Sequence, residues 1–474
     1  MNNYFSSIIA IISFLLFSHS CFASQPINKS QDEVNRNSPF GIHPASPFDE
    51  AADIGVKWSR GLNNPYMFWF LVDPGMTGEP AQFQWKGIAR KPGKAGGFDY
   101  DKLIAAKESG LNILYNIEVE PRRMGQRKHD SWLPADEEAY KIFVKEAVKR
   151  YPFIQYWQIG NEPSYNERMS DYGKFLLITY EAIKEANPRA KVLIGGVSGL
   201  RMPQDTATYK NNFDRVYLPL LEDVARQKKR CFDIFDFHWF AQAGGDYKIA
   251  KDAYNYIREK ISELNIPEPE SYWITETGTY SGDPKSLRRE GKFVDFPYQS
   301  EREQAIDLIK RYVYPLSFGV KKVFWAWGLK EGFHYDESFF DFTGLIYDGK
   351  FDHDQGRDVK KLSYYTYKKM IEILEGSDWD NIQAIQEAGG IYIYKFTKGG
   401  KSIWVVWNDN SKSQTVILNV GSIDSVKITE AVPKYELGKD VSDYSSVFNT
   451  ETKSVSGGLV SITLGDKPVF VEEK

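Results

Sequence analysis

Residues 137–163 read EEAYKIFVKEAVKRYPFIQYWQIGNEP. The first part repeats apolar side chains at Tyr140, Phe143, Val144, Ala147 and Val148, the spacing of one helix face. The second part, Ile154–Gly160, is an apolar run of strand length that ends in Asn161-Glu162-Pro163. This pattern recurs from residue 39 to about residue 376. Strand-length runs fall at Phe40–His43, Val56–Arg60, Asn112–Glu118, Ile154–Gly160, Lys191–Val197, Phe232–His238, Tyr272–Glu276 and Val323–Trp327. Between them, Tyr172–Ala186, Asp246–Leu264 and Ser300–Tyr314 also carry helical stripes. Eight strands alternating with helices predict an α/β fold, a closed (β/α)8 TIM barrel over 39–376. An open doubly wound sheet would need a Gly-rich phosphate loop after an early strand, and the sequence has none. From about 381 the texture changes. Ile391–Phe396, Ser402–Trp407, Thr415–Val420, Val426–Ala431 and Leu459–Leu464 alternate apolar and polar residues between Gly and Asn-Asp turn signals. They predict a small antiparallel β-sandwich domain over 381–474.

At 474 residues the chain is long enough for more than one core. Its 42% hydrophobic and 26% charged residues are those of a globular protein, and a net charge of -4 gives no reason to expect nucleic acid as a partner. Aromatic residues, at 15%, exceed what a core alone requires, and stacking on sugars is one use for the surplus. Residues 1–23 lack Lys, Arg, Asp and Glu, and the apolar stretch Ile8–Phe17 is too short to span a bilayer. Together with Cys21-Phe22-Ala23 they read as a signal peptide cleaved after Ala23. The expectation is a secreted or periplasmic protein without a transmembrane segment in its mature form. Lipidation at Cys21 ranks second, because Ser18-His19-Ser20 lacks the apolar residue usual before a lipidated cysteine. Residues 24–38 read as a linker or N-terminal arm. Only Cys231 then remains, which excludes an intramolecular disulfide and a cysteine metal cluster. The six His are scattered without metal-ligand spacing, so neither a catalytic metal nor a cofactor is expected.

Barrel active sites lie at the C-terminal ends of the strands. Those ends carry His43, Arg60, Glu118, Glu162, His238, Glu276 and Trp327, where a closed core would have apolar side chains. Glu162 follows strand four and Glu276 ends strand seven, on opposite sides of the mouth. Glycosidic hydrolysis needs such a pair: one carboxyl protonated to donate to the leaving oxygen, the other ionised to attack the anomeric carbon. Taken alone, Glu162 reads equally as an acid at a helix N-terminus beside Pro163.

The chain resembles clan A glycoside hydrolases, the retaining (β/α)8 enzymes. Asn161-Glu162-Pro163 resembles the clan's acid/base motif and Thr275-Glu276 its nucleophile motif. Arg60, the Arg150-Tyr151 pair and Trp325/Trp327 extend the likeness around the barrel, and the C-terminal sheet is similar to the β-domain of family 39 among others. The resemblance implies that Glu162 acts as acid then base and that Glu276 forms the glycosyl-enzyme. It further implies that Asn161 bonds the sugar 2-hydroxyl and that Arg60 keeps Glu276 ionised. His238 would bond Glu276 or a sugar hydroxyl, or be a satisfied core histidine. Trp327 would floor the reactive sugar subsite. Trp325, two residues away, would point to the same side unless a bulge intervenes.

Other residues bear on substrate. Glu118, with Glu120, stands where many clan members have His or Asn, and could bond sugar hydroxyls or pair with an Arg. Arg122, Arg123, Arg127, Lys128 and His129 form a basic loop that suits an acidic sugar or simply faces solvent. The insert Gly61–Gly97 carries Tyr66, Phe68, Trp69, Phe70 and Trp85, as stacking platforms or as core. A loop with Phe333, His334, Tyr335, Phe339 and Phe340 would form an opposite wall, and two such walls suggest a cleft and endo action. The expected function is hydrolysis of an extracytoplasmic poly- or oligosaccharide. A transglycosylase using the same glycosyl-enzyme and a non-catalytic carbohydrate-binding protein on the same fold are the alternatives.

Overall fold

A computed structural model of the protein describes residues 35–62, 66–85, 100–120, 131–163, 171–198, 206–240, 246–289, 292–332, 337–352 and 354–474. The expected signal peptide and most of the N-terminal arm lie outside the described residues.

Eight parallel strands close into a barrel: β1 (Phe40–His43), β2 (Trp58–Arg60), β3 (Asn112–Glu118), β4 (Tyr156–Ile159), β5 (Lys191–Ile194), β6 (Ile234–Phe240), β7 (Ser271–Gly278) and β8 (Val320–Ala326). Each pairs with its sequence neighbour, and β8 closes onto β1 with Ile42 opposite Trp325. Helices follow the strands, among them Glu137–Arg150 after β3, Tyr172–Ala186 after β4 and Glu301–Ser317 after β7. Two of these begin on side-chain caps. Asp136 accepts from the Ala139 amide, and Ser300 and Glu303 form a reciprocal capping box that fixes where the loop after β7 ends.

The barrel interior is layered by the two-residue period of its strands. Its floor is apolar: Trp58, Leu114, Leu193, Ile234, Trp273 and Phe324 pack together, with Trp58 edge-on to Trp273 at 5.3 Å. Two residues further along, the side chains are polar and buried: Asn116, Gln158 and Asp236. A second step reaches Glu118 and His238. Strand β7 breaks this rhythm. Asp236 pairs with Trp273, but His238 pairs with Glu276, so β7 holds one residue more than β6 over that interval. The irregularity turns Thr275 into the polar layer and lifts Glu276 to the level of His238.

The C-terminal region holds eight strands: β9 (Gln383–Ala388), β10 (Ile391–Lys398), β11 (Lys401–Asn408), β12 (Gln414–Asn419), β13 (Ser425–Glu430), β14 (Thr450–Ser454), β15 (Leu459–Leu464) and β16 (Val469–Glu473). Six form an antiparallel sheet in the order β9-β10-β11-β16-β13-β14, and β12 pairs with β15 as a second layer. One face of the large sheet presents Ile393, Trp404, Val406 and Val471 to Leu418, Val460 and Ile462 of the small one. The other face presents Tyr394, Phe396, Val405, Trp407 and Phe470 to the barrel's own core. Burial on both faces is why β11 is an almost continuous apolar run rather than an alternating one.

Candidate active site

Six elements deliver the polar groups at the barrel mouth. Arg60, the last residue of β2, is 1% exposed and directs each of its three guanidinium nitrogens at a different partner. Nε donates to Gln158 Oε1 at 2.7 Å, Nη2 to Asn161 Oδ1 at 2.5 Å, and Nη1 to Glu276 Oε1. The buried guanidinium thus gives Glu276 a directly bonded cationic partner. Trp327 donates its indole N–H to the other Glu276 oxygen at 3.1 Å. His43, at the end of β1, approaches Glu276 Oε1 with Nε2 at 3.7 Å, while its Nδ1 bonds the Arg60 carbonyl at 2.8 Å. Burial and the Arg60 charge hold the His43 imidazole well below its ordinary pKa. The neutral ring therefore donates Nδ1–H to the carbonyl.

Glu162 faces this group from the opposite side. Its side chain is 36% exposed, against 6% for Glu276. It sits just past β4 with φ of +43°, in the left-handed region where a non-glycine residue is strained. Gly160, with φ of +73°, precedes it in the same turn. The turn is held from below by Asn116, whose amide donates to the Gly160 carbonyl at 3.0 Å.

His238 lies between the two carboxylates and is fully buried. Its Nδ1 is 2.9 Å from Glu162 Oε1 and 3.5 Å from Glu276 Oε2. Its Nε2 is 3.2 Å from Thr275 Oγ1 and 3.4 Å from Asp236 Oδ2. Burial alone would push the imidazole down, but the Glu276 charge, the bonds to Asp236 and Glu162, and the Asp236 charge carry it up to about 10. The ring fits because β5 is followed by Gly195-Gly196: a Cβ on Gly196 would lie 1.9 Å from His238 Nε2.

Glu162, His238 and Glu276 each place one donor atom within 4.8 Å of the others. Two cationic groups, Arg60 and His238, already face that point. Two carboxylates and two nitrogen-bearing side chains thus face one another at the barrel mouth.

The structure brings together Arg60, Asn161, Glu162, His238, Glu276, Trp327 and His43. Glu118 is buried at the same level, with Oε1 3.3 Å from the point where a Cβ on Gly160 would stand. Two expected residues lie elsewhere. Trp325 belongs to the helix-facing core and donates its indole N–H to the Thr343 carbonyl at 2.8 Å. Phe324 faces the barrel interior, so Trp325 faces outward. Trp327 lies beyond the end of β8, where strand alternation no longer applies. Trp69 is 1% exposed, opens a four-residue helix, bonds Asp73 at 3.2 Å and packs on Tyr140 and Phe143. Phe68 and Phe70 are buried beside it, and Trp85 packs on Phe143, Tyr151 and the Arg150 guanidinium. The described part of the insert is therefore mainly core. Tyr66, which opens a short strand paired with β3, is the exception: it is half-buried among Arg60, Glu118, Glu276 and Glu162, and burial raises its phenol pKa.

Phe339 and Phe340 pack edge-on against Trp327 at 5.6 and 4.5 Å, and Phe240, Tyr280 and Phe296 complete this cluster. These rings brace Trp327. Phe333, His334, Tyr335 and the basic loop from Arg122 to His129 lie outside the described residues.

Gln158 and Asp236 join the site without having been singled out in the sequence, and Thr275 joins it in a role beyond its place in the motif. Their signal was present: each is a polar side chain inside an otherwise apolar strand, and Asp236 is two residues from His238 on the same face.

No family model matches the chain. Solved structures similar to it include a family 39 glycoside hydrolase from Bacteroides cellulosilyticus WH2, with TM-score 0.61 and 16% identity over 93% of this chain and 82% of that one. A family 51 α-L-arabinofuranosidase from Thermotoga petrophila RKU-1 superposes with TM-score 0.55 and 12% identity, over 90% of this chain and 89% of that one. A 4-O-α-L-rhamnosyl-β-D-glucuronidase from Fusarium oxysporum 12S gives TM-score 0.56 and 12% identity, over 92% and 96%. Among curated proteins, a probable mannan endo-1,4-β-mannosidase C from Aspergillus terreus is 35% identical over 80 residues, which is 14% of this chain. The chain spans 20% of the length of that relative. The fold is that of the clan A glycoside hydrolases, a closed barrel with an appended antiparallel β-region.

Proposed function

We propose that the protein is a retaining glycoside hydrolase that cleaves O-glycosidic bonds of a poly- or oligosaccharide outside the cytoplasm, using Glu162 as acid/base and Glu276 as nucleophile. The observation that carries this reading is the unequal treatment of two facing carboxylates. Glu276 is buried, gripped by Arg60 and Trp327 and flanked by His43, so its oxygens are fixed. Glu162 is part-exposed, and His238 bonds it through Oε1. An oxygen of one lies within 4.8 Å of an oxygen of the other, a short separation of the kind that suits a nucleophile in direct reach of the anomeric carbon. Double displacement follows. Glu276 attacks as Glu162 protonates the leaving oxygen, then Glu162 takes a proton from the water that releases the sugar. Trp327, braced by its aromatic cluster, offers an indole face to the sugar while its N–H holds Glu276. The charge-free segment at residues 1–23 supports export.

The test is release of reducing ends from a panel of neutral and acidic polysaccharides by the wild-type protein and by Glu276→Gln. Release by the wild type with retention of anomeric configuration, and none by the variant, is expected. Inverted product, or full activity in Glu276→Gln, would overturn the assignment.

A further inference from the structure

Glu276, Arg60, Gln158, Asp236 and His238 form a continuous buried chain of polar contacts beneath the reacting centre. From Glu276 it passes to Arg60 Nη1, from Arg60 Nε to Gln158 Oε1 at 2.7 Å, and from Gln158 Nε2 to Asp236 Oδ2. Asp236 is fully buried and accepts from the Thr275 amide at 3.0 Å and the Thr275 hydroxyl at 2.6 Å. The last contact fixes a proton. A carboxylate only accepts, so the Thr275 hydrogen points at Asp236, and Thr275 Oγ1 offers a lone pair to His238 Nε2 at 3.2 Å. Nε2 therefore carries hydrogen in every charge state of the ring. The group that gains or loses a proton is Nδ1, the nitrogen aimed at Glu162 and Glu276.

We infer that Asp236 is a positioning residue which, through Thr275, sets the tautomer of His238 and keeps its ring cationic, so that Nδ1–H takes up the negative charge formed on Glu162 when that residue gives its proton to the leaving oxygen. The inference rests on the hydrolase reading of the site. In the step itself the Glu162 O–H bond breaks, the leaving oxygen gains that proton, and the new carboxylate is met by a hydrogen bond 2.9 Å long from a cation. In the second half of the cycle water returns a proton to Glu162. His238 keeps its own throughout. The charged groups facing the ring are Glu162 beyond β4, Glu276 on β7 and Asp236 on its own strand, with Arg60 of β2 acting across Glu276 and the titratable but neutral His43 of β1 on the same carboxylate. With Asp236 neutral, His238 would lose its proton at lower pH and turn a lone pair toward Glu162.

The experiment is a ¹⁵N NMR titration of the His238 ring, assigned by its loss in His238→Gln, in wild type, Asp236→Asn, Thr275→Val and Thr275→Ser. It is combined with kcat/KM on an activated aryl glycoside and on a glycoside with a poor leaving group. The expected result in Asp236→Asn is a His238 titration at least one pH unit lower. Its kcat/KM falls about 100-fold on the poor leaving group and less than about fivefold on the activated one, the range for loss of effective general-acid assistance. Thr275→Val follows Asp236→Asn, and Thr275→Ser follows the wild type. An unshifted titration in Asp236→Asn, an unprotonated Nε2 in the wild type, or equal loss on both substrates would overturn the inference. The titration needs no turnover. A wild type that releases no sugar would sink the hydrolase reading, while the titration would still decide the Asp236–Thr275–His238 linkage.

Discussion

Replacing Gly196 by alanine should disable the site without touching a polar residue. The added methyl would stand 1.9 Å from His238 Nε2 and 2.5 Å from both neighbouring ring carbons, far inside van der Waals contact. Neither backbone is free to yield, since His238 N donates to the Val197 carbonyl at 2.8 Å and Val197 N to the Asp236 carbonyl at 3.0 Å. The ring must turn, which forfeits the Thr275 contact on one nitrogen and the Glu162 contact on the other. Overpacking of this kind costs about 1–3 kcal/mol, and a lost hydrogen bond to a charged group about 1.5–3 kcal/mol. If about 2.7 kcal/mol of this falls on the transition state, kcat/KM drops roughly 100-fold. The assay is kcat/KM on activated and unactivated glycosides, with a denaturant melt of the same sample to report stability. Wild-type activity and an unchanged melt in Gly196→Ala would refute the placement of His238 in this pocket.

Four further outcomes are expected. Arg60→Lys replaces a three-way fork with a point charge and should lower kcat/KM at least about 100-fold with both good and poor leaving groups; a drop below about fivefold would contradict the role given to the fork. Trp327→Phe keeps a ring but removes the 3.1 Å bond to Glu276, and should cost about tenfold in kcat/KM, read with an activated substrate. Asp409 joins the C-terminal sheet to the barrel by accepting from Lys310 at 2.8 Å, Lys248 at 2.6 Å and Tyr247 at 2.8 Å. Asp409→Asn should therefore destabilise by about 2–3 kcal/mol in denaturant unfolding, because Lys310 is left buried without its counter-ion. For pH, the His238 pKa is raised on folding to about 10. Its stabilisation is complete below the unfolded value near 6.5 and is lost as pH rises through about 10. Melts of wild type and His238→Gln should differ most at or below neutral pH and converge in alkali; a gap that widens with pH would show the sign to be wrong.

The barrel was legible because its strands are apolar runs separated by amphipathic helices, and both signals are local. Two C-terminal strands, Gln383–Ala388 and Thr450–Ser454, were not foreseen, because they lie at the edges of the sheet and are mostly exposed, without an apolar face. Val469–Glu473 is too short to show a period. The carboxylates could be read from the ends of strands four and seven. What sequence could not show was the extra residue in β7 that sets Glu276 level with His238, since strand irregularities follow from pairing rather than composition. Trp325 and Trp69 were misplaced for related reasons. An alternation rule was carried past the end of β8, and an aromatic-rich insert looks the same whether its rings meet sugar or each other. Gln158 and Asp236 carry little signal in sequence, because a lone polar residue in a strand is ordinary until several of them meet.

The large C-terminal sheet, with one face on the barrel and the other on β12 and β15, makes the two regions mechanically one body. Trimming the chain near residue 376 would bare Tyr394's and Trp407's docking face on the barrel and strand an apolar wall in water, so the barrel is not expected to survive alone as a soluble fragment. The same union leaves no hinge between the barrel and the sheet. Glu276, on β7, is anchored to that shared frame.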